Sequence, residues 1–220
     1  MQGFRPQRVK SVEVFFDEGT GSAAEWGSTG RVFISKYVNR SNTDIYEYYL
    51  DGEKIYGMPT PKLRESDRLT KNSAIETEPA LSPDGRYLAL ISDRTGSPQV
   101  YVRDMQRKKL TRITENGNYN VSPSWSPDGK FIAYASRRSG VSSIYRIDPK
   151  SKEENRVTPK NMNAESPTWS PDGSMIAFSG KKGGDWKIYY SLSSGGQAVR
   201  LTNSKAGLQE TMPSWGPSLR

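Results

Sequence analysis

The tetrapeptide Ser-Pro-Asp-Gly stands at residues 82–85, 126–129 and 170–173, each copy 44 residues after the last. The same register runs through a whole unit around it: Pro79, Pro123 and Pro167 open the unit, and Thr114, Thr158 and Thr202 close it. A fixed period of this length restricts the chain to a fold stacked from one recurring supersecondary unit, because such a unit cannot bury its apolar face alone. The units are 79–114, 123–158 and 167–202. A fourth opening, Pro213-Ser-Trp-Gly-Pro, reads as a closing strand over 213–220. Spacing also reveals a degenerate first copy over 24–70: Trp26 to Ile34 aligns with Trp125 to Ala133, and Thr70 lies 44 residues before Thr114. Its additional residues are expected to form a loop over 51–66, where Gly57, Pro59 and Pro61 interrupt the strand pattern.

Within a unit, apolar and polar residues alternate over short runs, as at Tyr87, Ala89 and Ile91 and at Val100 and Val102. Period two predicts strands. Proline sets φ for the second position of a turn, Asp suits the third, and Gly85, Gly129 and Gly173 supply the positive φ that returns the chain. A second break recurs at Gly96, Gly140 and Gly184, followed in register by Tyr101, Tyr145 and Tyr189. Each unit therefore reads as four strands, about 79–82, 86–92, 99–103 and 110–114 in the first full copy. No window sustains helical periodicity, so the expected fold is all-β, with one propeller blade per unit.

Composition removes whole classes of chemistry. The chain has no cysteine and no histidine, which excludes thiol nucleophiles, Cys or His metal sites, disulfides and any Ser-His-Asp arrangement. No metal and no cofactor is expected. No run of apolar residues is long enough for a membrane span, and the first eight residues lack the apolar centre of a secretion signal. A net charge of +8 suits acidic partners without choosing among them.

Taken together, Pro-x-Trp-Ser-Pro-Asp-Gly, an aliphatic-Ala-aromatic strand, Ser-x-Arg-x-Gly, Ile-Tyr and a final Leu-Thr resemble the repeats of the TolB-type β-propeller, over 79–220 and more weakly over 24–70. That family has six blades and a separate amino-terminal α/β domain. Here the count is about four blades plus a closing strand, an incomplete ring preceded by an arm over 1–23, with 12–16 as a further candidate strand. The resemblance implies a non-enzymatic protein–protein interaction scaffold in the bacterial cell envelope, a Tol-Pal-like system, located in the periplasm. It also implies a peptidoglycan-associated lipoprotein as partner. Self-association that completes the ring is a further expectation. The alternative is a non-catalytic propeller module of a larger serine peptidase or carbohydrate-active protein.

Four sets of residues invite a functional reading. Asp84, Asp128 and Asp172 could suggest a ring of carboxylates, but each sits in a turn that calls for Asp. Trp26, Trp125, Trp169 and Trp215 are expected between neighbouring blades. Arg94, Arg138 and Lys182, spaced by 44 and joined by Arg137 and Lys181, form a positive crown expected to share a face with the connections between units. They are read either as binding residues or as turn residues that pin their own loops. Asn118, Tyr119, Asn120, Asn163, Glu165, Gln209 and Glu210 offer a polar rim on the same face, varying from unit to unit as a surface matched to an asymmetric partner would. Glu165 and Glu210 are the pair to test for carboxylate chemistry. Nucleic acid is not an expected partner, because the aromatics fall at inward strand positions rather than among the basic residues.

Overall fold

The computed structural model describes residues 24–26, 31–39, 42–50 and 63–216. The candidate strand at 12–16, most of the loop expected over 51–66 and the last four residues of the expected closing strand lie outside them. Among the described residues there are sixteen strands and no helix. They form four four-stranded antiparallel sheets, each built from strands in chain order. The first holds β1 (Ala24–Trp26), β2 (Arg31–Asn39), β3 (Asn42–Leu50) and β4 (Leu63–Arg68). The second holds β5 (Glu76–Leu81), β6 (Tyr87–Ser92), β7 (Gln99–Asp104) and β8 (Lys109–Arg112). The third holds β9 (Tyr119–Trp125), β10 (Ile132–Arg138), β11 (Val141–Ile147) and β12 (Glu154–Arg156). The fourth holds β13 (Asn163–Trp169), β14 (Met175–Lys181), β15 (Lys187–Leu192) and β16 (Val199–Arg200).

The Ser-Pro-Asp-Gly turns behave as their chemistry requires. In the first copy the Gly85 N–H donates to Ser82 O at 2.8 Å, the Ser82 hydroxyl to Asp84 Oδ1 at 2.6 Å, and the Tyr87 N–H to Ser82 Oγ at 2.9 Å. Gly85, Gly129 and Gly173 take φ near +70°, at 69°, 68° and 72°. The three aspartates are therefore turn residues. Hydrogen bonds from Ser170 and Ser174 hold the Asp172 carboxyl down to about 2.

The innermost strands differ from the expected ones. They begin three or four residues before the proline, so Pro79, Pro123 and Pro167 lie inside β5, β9 and β13. Each proline belongs to a bulge. Glu78-Pro79 stands between the pairs Thr77–Ile91 and Ala80–Ala89, and Ser122-Pro123 and Ser166-Pro167 do the same in the next sheets. Two residues oppose one, so the missing N–H of proline removes no ladder hydrogen bond. The residue before each proline takes left-handed φ: 50° at Glu78, 55° at Ser122, 53° at Ser166 and 57° at Met212.

Sheets pack face to face in chain order, with β5 against β9 and β9 against β13. Phe33 and Ile45 meet Leu88 and Leu90 between the first and second sheets. Ile91, Val100 and Ile113 meet Trp125, Ile132 and Tyr134 between the second and third. Ala135 and Ile144 meet Trp169, Ile176 and Phe178 between the third and fourth. Each indole is tied to the preceding blade: Trp125 Nε1 donates to Ala80 O at 3.0 Å, Trp169 Nε1 to Ser124 O at 2.9 Å, and Trp215 Nε1 to Thr168 O at 3.2 Å. Residues 213–216 carry no strand, but the Trp215 bond sets them where the next inner strand of the series would begin. Among the described residues no comparable strand packing joins the fourth sheet to the first, and the fan stays open.

Candidate functional site

In every sheet the inner strand starts at the end where the second and third strands turn and where the chain crosses to the next blade. Three side chains in the same register stand at that end beside the axis: Ile75, Tyr119 and Asn163. All three are exposed. Across from them lie Asp93, Arg137 and Lys181. The Ile75 N–H donates to Asp93 Oδ1 at 2.8 Å, Tyr119 pairs with Arg137, and Asn163 pairs with Lys181. The Arg137 guanidinium lies 4.9 Å from the centre of the Tyr119 ring.

The crown divides into two groups. Arg138 forms a two-pronged ion pair with Glu154 at 2.7 and 2.8 Å, donates to Ser136 Oγ at 3.0 Å and lies 3.7 Å from the Tyr145 ring centre. Burial works against the charge of Glu154, but the hydrogen bonds from Arg138 and Tyr134 prevail and hold its carboxyl below the ordinary range. Arg94 is likewise paired with the buried Glu76 and stacked near Tyr101 at 5.2 Å. These two arginines pin their own blades. Arg137 and Lys182 are exposed, and Lys181 is half-buried.

The rim divides in the same way. Asn120 is fully buried; its Nδ2 donates to Gln99 Oε1 at 2.7 Å and to Asn116 O at 3.0 Å. Asn163 Oδ1 accepts the Ser142 N–H at 3.1 Å. Gln209 accepts the Trp186 N–H at 2.9 Å and donates to Asp185 at 2.9 Å, and Glu210 accepts the Thr202 hydroxyl at 2.6 Å. Asn118 and Tyr119 are exposed and Glu165 is half-buried. The outward surface therefore includes Asn118, Tyr119, Arg137, Asn163, Lys182 and Gln209, with Glu165 and Lys181 partly exposed and Ile75 as a member that sequence reading missed. Its place 44 residues before Tyr119 was the signal.

Beside the axis the four left-handed residues and their prolines line an open depression of about 240 Å³. Among the described residues its one carboxylate is Glu78, which accepts the Ser122 N–H freed by the bulge, at 2.6 Å. Burial raises the pKa of Glu78, and the hydrogen bond from Ser122 pulls it back only in part. Neither Glu165 nor Glu210 lines this depression.

Comparison with known proteins agrees with this architecture. The TolB beta propeller domain family matches residues 20–219. The Tol-Pal system protein TolB of Bordetella pertussis is 50% identical over 34 residues, which is 16% of this chain and 8% of that protein. The crystal structure of TolB from Acinetobacter baumannii superposes with a TM-score of 0.68 at 22% identity, covering 87% of this chain and 45% of that one. A puromycin hydrolase superposes with a TM-score of 0.62 at 17% identity, over 90% of this chain and 33% of its own. The chain thus spans less than half the length of these relatives. By its repeats, its sheets and the match along nearly its whole length, the chain belongs to the TolB β-propeller domain family.

Proposed function

We propose that this chain is a non-catalytic scaffold that docks a protein partner on the blade end carrying Ile75, Tyr119 and Asn163, in the periplasm of a bacterial cell envelope. One observation carries the reading. Residues that recur every 44 positions are consumed inside the fold, as turn aspartates, interblade indoles and ion-paired arginines, whereas the exposed residues around the axis change from blade to blade. An exposed Tyr beside an exposed Arg is the composition of an interface anchor, and Asn118, Glu165 and Lys182 supply an adaptable polar surround. The short but strong likeness to a Tol-Pal system protein supports an envelope partner, for which a peptidoglycan-associated lipoprotein is the first candidate.

The test is capture from a detergent-solubilised envelope extract, with bound proteins identified by mass spectrometry. The wild-type chain is expected to retain an envelope lipoprotein, and Tyr119→Ala combined with Arg137→Glu to lose most of it, because truncating one anchor costs roughly 1–3 kcal/mol. Arg94 and Arg138 are unsuited to this test, since reversing either breaks a structural ion pair. Equal capture by the double variant would overturn the reading. Recovery of a hydrolase domain instead would favour the second reading, a propeller module of a larger peptidase, which rests on the fold shared with the puromycin hydrolase.

A further inference from the structure

Between the first and second sheets lies a cavity of about 470 Å³, lined by Arg31, Arg68, Lys71, Arg103 and Lys108 together with Glu47, Leu69 and Met105. Among the described residues that line it, five are cationic and one is a carboxylate. The three arginines are engaged within the fold: Arg31 is paired with Glu47, Arg68 with the buried Asp44, and Arg103 also has a partner. Lys71 and Lys108 are exposed and have no ion-pair partner among the described residues.

The repeat shows what these positions hold elsewhere. One period on from Lys71 and Lys108 stand Glu115 and Lys152, and there Lys152 Nζ meets Glu115 Oε1 at 2.6 Å. An ion pair that ties the second sheet to the third is replaced, between the first and second, by two like charges converging on a cavity. Arg103 strengthens the difference, since one period on the residue is Ile147. Like charges brought together by a fold cost free energy unless an anion joins them.

We propose that this groove binds a phosphorylated small molecule. The guanidinium groups of Arg31, Arg68 and Arg103 match the geometry of phosphate oxygens, and the two lysines add point charge. The volume exceeds what a bare phosphate fills and lies in the range of ligand pockets. Leu69 and Met105 offer apolar contact to the body of such a ligand. The site lies between the blades, separate from the axial face of the docking proposal.

The test uses inorganic pyrophosphate as probe, titrated calorimetrically at low salt, where screening is weak. The informative variant is Lys71→Glu, which copies the ion pair of the next repeat and so should fold as well as the wild type. Saturable one-site binding is expected, weakened roughly tenfold or more in Lys71→Glu. Lys108→Gln, which removes one charge without adding another, should also weaken binding and serves if the first variant folds poorly. Lys182→Glu, in the β14–β15 turn of the fourth sheet, should leave it unchanged. Absence of saturable binding, unchanged affinity in the groove variants, or an equal loss in Lys182→Glu would each overturn the proposal. Vesicles of phosphatidylglycerol against phosphatidylcholine separate the two sources of phosphate: a free ligand leaves both unbound, while a lipid headgroup gives Lys71-dependent binding to the first alone.

Discussion

Glu78 is where the repeat departs most from its own rule. The position before the inner-strand proline is Ser in the next two blades and Met at 212, and all four hold left-handed φ, a conformation that costs a non-glycine residue about 1–2 kcal/mol. In the second blade that position carries a half-buried carboxylate beside the axis, and the Ser122 N–H donates to it. Because burial raises the carboxyl pKa, the folded chain holds this proton to higher pH than the unfolded chain, in which Glu titrates near 4.3. The contribution to stability is complete below the unfolded value and is lost as pH rises through the folded one. Glu78→Gln keeps an acceptor for Ser122 and removes the charge. It is expected to raise the melting temperature at pH 7 relative to wild type, with the gain vanishing as the pH falls through about 4. A gain independent of pH, or a loss at pH 7, would show that the carboxylate is needed for something other than the Ser122 contact.

At the scale of the strand and turn, much of the fold was legible and most of the site was not. Ser-Pro-Asp-Gly encodes a turn locally, in four side chains and one positive φ, so those turns fell where spacing put them. The inner strands were read short because proline suggests a strand start; nothing local says that the chain hydrogen-bonds on both sides of it through a bulge. Arg94 and Arg138 look like exposed cations for a similar reason. Their carboxylates come from different strands, Glu76 on β5 and Glu154 on β12, and neither is repeated at 44-residue spacing, so the period conceals the pairs. Arg68, Arg112, Arg156 and Arg200 do repeat, and each donates through Nε to a threonine carbonyl two residues on, at 2.6–3.1 Å. Gly180 is a further case of an element adapting to its neighbour. Its equivalents are Ser92 and Ser136, but a Cβ here would approach Tyr189 Cδ2 at 2.6 Å and Met162 Cε at 2.7 Å. Gly180→Ser is therefore expected to destabilise the fourth sheet by about 1–3 kcal/mol in denaturant unfolding, and Met162→Ala in the same chain to recover part of the loss. Additive losses would place the clash elsewhere.

Across the whole molecule the blades are unequal because the fan is open among the described residues. The second and third sheets have an apolar neighbour on both faces, whereas the fourth presents Leu192, Val199, Leu201 and Leu208 to solvent, each roughly half exposed. Its last strand, β16, has two residues and pairs only with β15. Stability in stacked units is close to a sum of each unit's own terms and its contacts with neighbours, so a unit with one contact face opens more readily than one with two. Amide hydrogen exchange read by mass spectrometry should then be slowest in β6, β10 and β11 and fastest in β15 and β16, with the difference reporting partial opening and not global unfolding. Lys187 opposes that opening from one side: nearly buried, it donates to Leu208 O at 2.7 Å and holds residues 204–210 against the sheet. Lys187→Met should therefore speed exchange in β15 and in 204–210 while leaving β10 unchanged. Equally slow exchange through β16 in the wild-type chain would mean that its apolar face is covered in solution. A measured mass twice that of the chain would then identify the cover as a second copy.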